Sequence, residues 1–235
     1  MRLHFWRRTG VSQNIFGKTD RPRTHFSRPV CVSAHYASTF VRNHVKTIIA
    51  ADFFVVVTAT FRLVYVLVIM EIGTRRILHI NVTEHPTADW TLQQFRECVI
   101  GDEGYRFIIH DRDSIYSREL DRSFQTLGLT VLRTPYRSPQ ANAFCERLIG
   151  SARRECLDFM IPVNEEHVRA ILKEWTAHYN RSRPHSGLGP GFPDPKVKKL
   201  ELQSERHCIP GGHRIVGTPI LVGLHHDYQL QRIAA

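Results

Sequence analysis

Between residues 47 and 83 the chain carries three β-branched, apolar runs with almost nothing between them. Thr47–Thr58, Phe61–Glu71 and Arg75–Thr83 are dense in Val, Ile, Leu and Phe, and the short links carry Thr-Ala-Thr and Gly-Thr. Runs so close together leave no room for a crossover, so they are expected to form an antiparallel meander. The period then changes. Leu92, Phe95 and Val99 recur at helical spacing behind Thr87, predicting a helix over Thr87–Ile100. Tyr105–His110 is a short buried strand, Arg118–Leu127 a helix closed by Gly128, and Leu129–Arg133 a further strand. A helix from Asn142 to Asp158 comes after the Pro135–Pro139 loop. Another begins at Asn164, with Val168, Ile171, Leu172, Trp175 and Tyr179 on one face.

The order β-β-β-α-β-α-β-α-α predicts an α/β fold: a mixed five-stranded sheet with helices on both faces. Apolar residues make up 42% of the 235 and charged residues 23%, which is enough for a packed core and excludes wholesale disorder. Residues 1–39 are different. They hold seven of the Lys and Arg residues against one acid, Asp20, so the first sixth of the chain carries +6 of the net +10. Gly10, Gly17, Pro22 and Pro29 interrupt them. They are expected to be a basic leader, disordered or unrelated to the rest of the chain, with residues 40–189 as the core domain. Residues 190–235, rich in Gly and Pro at their start, are expected to be a loop-rich tail with little regular structure.

The net positive charge makes a polyanion a plausible partner without specifying one. Five cysteines, an odd number at wide spacing with no Cys-x-x-Cys, predict a reducing compartment and no zinc ribbon. The most apolar stretch, Phe61–Met70, is about half a membrane span. A cytoplasmic location is the expectation.

Three acids stand where structure makes them informative. Asp52 interrupts the first strand, and a carboxylate in a buried strand must be paired, hydrogen-bonded or metal-bound. Asp111 ends the fourth strand, the end at which open α/β sheets hold ligands. Glu146 lies near the start of the helix after the Ser138-Pro139 turn. Singly, Asp52 could cap a strand end, Asp111 could open a turn, and Glu146 could pair with Arg147 or Arg153. Together they can converge from two neighbouring strands and a packed helix, as an all-oxygen set suited to Mg²⁺ or Mn²⁺. Cys145 has no partnered histidine and reads as a small helix residue, and His110 as a strand-end residue packed near the site.

At these residues the chain resembles the integrase catalytic core of bacterial insertion-sequence transposases, DDE recombinases of ribonuclease H-like fold. The blocks that carry the resemblance are His110-Asp111-Arg112-Asp113 with Tyr116, Ser138-Pro139 and Asn142, Glu146 to Ser151, and Arg153 to Asp158. Tyr179-Asn180-Arg181, Arg183-Pro184-His185 and Gly223 to Tyr228 also match.

The resemblance implies that Asp52, Asp111 and Glu146 hold two Mg²⁺ or Mn²⁺ ions and catalyse phosphodiester cleavage and strand transfer. It implies DNA, as element ends and target, for a partner, and a homo-oligomer on that DNA. Arg153 and Arg154 follow Glu146 at +7 and +8, on its face of the helix, and with Arg147 are candidate DNA contacts. Tyr136 and Arg137 are further candidates. The alternative for Arg153 and Arg154 is a solvated face paired to Glu155 and Asp158.

Two features depart from the family pattern. Gln140 and Ala141 replace the usual Trp-Gln after the Ser-Pro turn, and residues 1–39 lack the period of the helix-turn-helix module that usually precedes the core. A truncated or rearranged copy is therefore the expectation. The competing functions are a non-catalytic nucleic-acid-binding remnant and a metal-dependent nuclease.

Overall fold

The computed structural model describes residues 43–99, 104–111, 115–133, 142–189, 191–194 and 208–233. The basic leader and the candidates Tyr136 and Arg137 lie outside the described residues. Strands β1 (Ile48–Val57), β2 (Leu63–Glu71) and β3 (Ile77–Thr83) form the expected antiparallel meander. Helix α1 (Ala88–Val99) leads to β4 (Phe107–His110), which lies parallel to β1. Helix α2 (Arg118–Thr126) leads to β5 (Thr130–Arg133), parallel to β4. The sheet order is β3-β2-β1-β4-β5, which puts β1 at the centre. Helices α3 (Ala143–Glu155) and α4 (Glu165–Arg181) come next along the chain.

Local chemistry explains where the helices start. Thr87 Oγ1 accepts the Trp90 N–H at 3.1 Å, Ser117 Oγ that of Leu120 at 3.1 Å, and Asn164 Oδ1 that of His167 at 2.8 Å. Each satisfies a donor that the first turn leaves without an intrahelical partner. Gly128, at φ 80°, takes the left-handed position after α2 that a β-carbon would oppose.

The sheet divides the apolar residues by parity. Ile48, Ala50, Phe54 and Val56 of β1 face α3 and α4, among Leu148, Ala152, Leu172 and Trp175. Ile49 and Ala51 face α1 and α2, with Phe95, Leu120 and Phe124. All five residues expected on the buried face of α4 are buried. Among the described residues Cys145, Cys156 and Cys208 are free thiols. No described helix is long and apolar enough to cross a membrane.

The tail differs from expectation. His213–Ile220 (β6) and His225–Arg232 (β7) pair as an antiparallel hairpin. Their sequences hide the strands because no core lies along most of either face: Ile215, Tyr228 and Leu230 remain more than half exposed. The turn between them is bent by positive φ at Leu221, Val222 and Gly223, not by a recognisable Asn-Gly pair. The hairpin is held to α4 by polar contacts: the Leu221 N–H donates to Glu174 Oε1 at 2.6 Å, and His178 Nδ1 lies 2.7 Å from Asp227 Oδ1.

Candidate active site

Asp52 shares the parity of Ile48, Ala50, Phe54 and Val56, so the pleat turns its carboxylate toward α3. Oδ1 accepts the Phe53 N–H at 2.8 Å, and Oδ2 accepts Nδ2 of Asn142 at 3.1 Å. A half-buried carboxylate in a strand is thus satisfied from its own backbone and from the residue that opens α3.

Asp111 is placed by register. Ala51 of β1 pairs with His110 of β4, so Asp52 and Asp111 are the next residues along two adjacent parallel strands. Asp111 itself is exposed, at the carboxyl end of β4. Behind it His110, 2% exposed, joins the two ends of the connection to α2. Its Nδ1 donates to the carbonyl of Asp111 at 2.7 Å, and its Nε2 lies 3.0 Å from Oδ1 of the buried Asp121 in α2. The Tyr116 ring stacks on the imidazole with centroids 4.2 Å apart. The last backbone atoms of β4 are therefore tied to α2 through one side chain.

Glu146 lies in the first turn of α3, exposed to solvent. Its neighbour Cys145 is fully buried against the sheet. Burial pushes the Cys145 thiol well above its usual range, and the nearby carboxylates of Asp52 and Glu146 push it the same way. Asp52 and Glu146 thus flank one thiol. Among the described residues, however, no three His, Cys, Asp or Glu side chains stand together as a metal-binding group. Two of the three candidate acids are neighbours across a strand pair, and the third stands on the helix packed over one of them.

The candidate arginines separate. Arg153 lies over the Phe54 ring, 5.4 Å from its centroid, and donates to the Val55 carbonyl at 3.0 Å. Arg154 lies along Gly150, so close that a β-carbon there would meet Nη1 at 2.9 Å. Arg147 is exposed. The alternative pairing of Arg153 or Arg154 with Glu155 is not what the structure shows. Glu155 is held by Arg183 in a two-pronged ion pair, Nε to Oε2 at 2.7 Å and Nη2 to Oε1 at 2.6 Å. A planar fork from another element outcompetes neighbours on the same helix because it makes two charge-assisted bonds at once.

Sequence reasoning left Asn142 and Asp121 without roles. Asn142 is among the residues that carry the resemblance, but its place just ahead of a helix carrying an acid four residues on gives it no role by itself. For Asp121 there is no local signal, because its partner lies on a strand.

The Integrase core domain family model matches residues 127–193, a stretch that contains Glu146 but neither Asp52 nor Asp111. The insertion element IS407 31.7 kDa protein of Burkholderia multivorans is 36% identical over 72 residues, 31% of this chain and 26% of that protein. The putative transposase InsD for insertion element IS2E of Escherichia coli K12 is 28% identical over 102 residues, 42% of this chain and 47% of the relative. The chain therefore covers less than half of either relative. Among solved structures, a chain of the simian T-cell lymphotropic virus intasome in complex with PP2A regulatory subunit B56 gamma superposes with a TM-score of 0.52 at 13% identity. It covers 80% of this chain and 68% of that one, a likeness of fold.

Proposed function

We propose that this chain, which carries a DDE-type transposase/integrase catalytic core on a ribonuclease H-like fold, cuts DNA phosphodiester bonds and joins the freed 3′-hydroxyl to a target strand. The observation that carries the reading is the register of β1 against β4, which sets Asp52 beside Asp111, the residue that follows the parallel strand β4. Glu146 is the third member, on the helix that directly follows Asn142, whose amide binds Asp52.

The donor chemistry fits Mg²⁺ or Mn²⁺. The three acids offer only hard oxygens, and a buried oxygen of Asn142, whose amide nitrogen binds Asp52, has no hydrogen-bond partner among the described residues. Two such ions, when bound, activate the attacking oxygen and stabilise the leaving one. The chain's own part is to aim the carboxylates and hold the DNA. Phe53, through its backbone N–H, and Asn142 set the rotation of the Asp52 carboxylate, and His110 fixes the backbone at Asp111. Arg147, Arg153 and Arg154 on α3, with Tyr136 and Arg137 ahead of it, contact phosphates. Arg153 does so from a guanidinium already steadied on Phe54. The working assembly is a homo-oligomer on DNA, a reading supported by the fold's likeness to a chain that works within an intasome.

The test is a strand-transfer assay on duplex DNA with Mn²⁺, run beside thermal melts of the wild type and Asp111→Asn. A ligand that binds only the folded state stabilises it by about 2.7 kcal/mol at a hundredfold excess over Kd. Joined strands, with a metal-dependent rise in Tm absent from Asp111→Asn, are expected. Nicks without joining would make the chain a nuclease. DNA binding indifferent to metal and to Asp111→Asn would make it a non-catalytic remnant.

A further inference from the structure

Asn142 occupies the position just before α3, where an asparagine side chain ordinarily accepts a backbone N–H from the first turn. It makes no such bond. Its amide turns to the sheet instead, and Nδ2 donates to Asp52 Oδ2 at 3.1 Å. The residue is 5% exposed, and its Oδ1 is buried with no hydrogen-bond partner among the described residues. The chain thus leaves a buried acceptor unsatisfied. Such groups are rare in folded proteins, and one that persists calls for a specific cause. The backbone at Asn142, φ −112° and ψ 19°, lies outside the extended region from which a side chain caps a helix, so capping does not explain where the amide points.

What surrounds this oxygen narrows the choice. An amide oxygen accepts only, so its missing partner is a donor or a cation. The group fixed beside it is a carboxylate, Asp52, and the acid four residues along is Glu146. A neutral carbonyl oxygen alongside carboxylates is a donor set suited to Mg²⁺ and Mn²⁺, and it adds a ligand without adding charge repulsion.

We propose that Asn142 belongs to the metal site: Nδ2 sets the Asp52 carboxylate, and Oδ1 takes the divalent cation that Asp52 holds, directly or through a water of its shell. This rests on the reading of Asp52 as a metal ligand. The two functions come from opposite ends of one planar amide, so flipping the amide would abolish both.

The experiment is a thermal melt of the whole chain, without DNA, over a titration of Mn²⁺ alone. The variants are Asn142→Ser, Asn142→Asp and Asp52→Asn. Serine is too short to reach Asp52 and the cation together. Asn142→Ser loses the bond to Asp52, so its metal-free Tm falls, and it is expected to need about 10–100 times more Mn²⁺ for half its rise, the usual cost of losing a supporting ligand group. Asn142→Asp keeps an oxygen in place but sets a second carboxylate against Asp52. Its metal-free Tm falls, and its Mn²⁺-induced rise exceeds that of the wild type, because the cation now relieves a like-charge contact.

A purely structural asparagine would lower the metal-free Tm in both variants and leave the half-saturating Mn²⁺ unchanged. That result overturns the inference, as does loss of a cooperative melt in both variants. If the wild type and Asp52→Asn respond alike to Mn²⁺, the reading of Asp52 has failed. A wild type that responds while Asp52→Asn does not, together with an Asn142→Ser that matches the wild type, sinks the inference about Asn142 alone.

Discussion

Phe61, Arg75, Leu221 and Val222 hold positive φ among the described residues, at 60°, 67°, 51° and 57°. In this left-handed region an L-residue's β-carbon crowds the following carbonyl, at roughly 1–2 kcal/mol per residue. The four are not equivalent. Phe61 is 88% exposed in the turn between β1 and β2, so its ring contributes little packing. Arg75 offsets its strain by laying its guanidinium 3.6 Å from the centroid of the Phe144 ring, on the helix that carries Glu146. Burial holds the Arg75 guanidinium below its usual range, and Arg147 adds to the effect. Glycine at 61 removes the strain and loses almost nothing. Phe61→Gly should therefore raise Tm by about 2–4 °C for each kcal/mol relieved in a chain of this size, read by calorimetry. A fall in Tm would mean that the phenyl ring packs against something in solution.

At the scale of elements, the C-terminal hairpin gains its order by leaning on α4. Two strands alone are marginally stable in water. Here His178 Nδ1, in a residue 8% exposed, meets Asp227 Oδ1, and His225 Nε2 lies 2.7 Å from the Glu155 carbonyl at the end of α3. The same Glu155 carries its side chain to Arg183 beyond α4, so the ends of α3 and α4 and the hairpin meet at one polar joint. This assigns structural work to the Arg183-Pro184-His185 and His225–Asp227 blocks, which the sequence singled out without explaining. Removing Asp227 leaves a buried imidazole nitrogen without its acceptor, at about 1–3 kcal/mol. Asp227→Ala should therefore lose amide-exchange protection across β6 and β7 while β1 and β2 stay protected. Uniform loss throughout the sheet would mean that the hairpin and core unfold as one unit.

For the whole molecule, the central sheet separates two apolar layers, and the α3–α4 layer also buries groups that titrate. Burial pushes the Cys156 thiol up to about 12 and the Tyr179 phenol to about 12. Both are neutral when protonated, and the unfolded chain loses their protons first, near 9.0 and 10.0. The unfolded state therefore binds fewer protons than the native state across that window, and stability falls as pH rises. Tm should be insensitive to these groups below about pH 9 and should drop between pH 9 and 12. Cys156→Ala should flatten the early part of the fall, and an unchanged slope would remove the thiol from the account.

Local pattern alone located the five strands of the sheet and the four α-helices of the described residues to within a few residues, because period and capping are written within a turn or a strand. Which layer Asp52 faces is decided only when α3 packs on that side of β1. The hairpin escaped local pattern, because its faces are mostly wet and its pairing is sealed by contacts with α4. The neighbouring positions of Asp52 and Asp111 depend on a parallel register across 58 intervening residues, and parallel pairing has no turn to set it. Which acid Arg183 takes, and which way the Asn142 amide turns, are choices between partners that sequence spacing leaves equal. Only packing α3 and α4 onto the finished sheet distinguishes them, by bringing one partner within hydrogen-bond reach and removing the water that would otherwise serve as well.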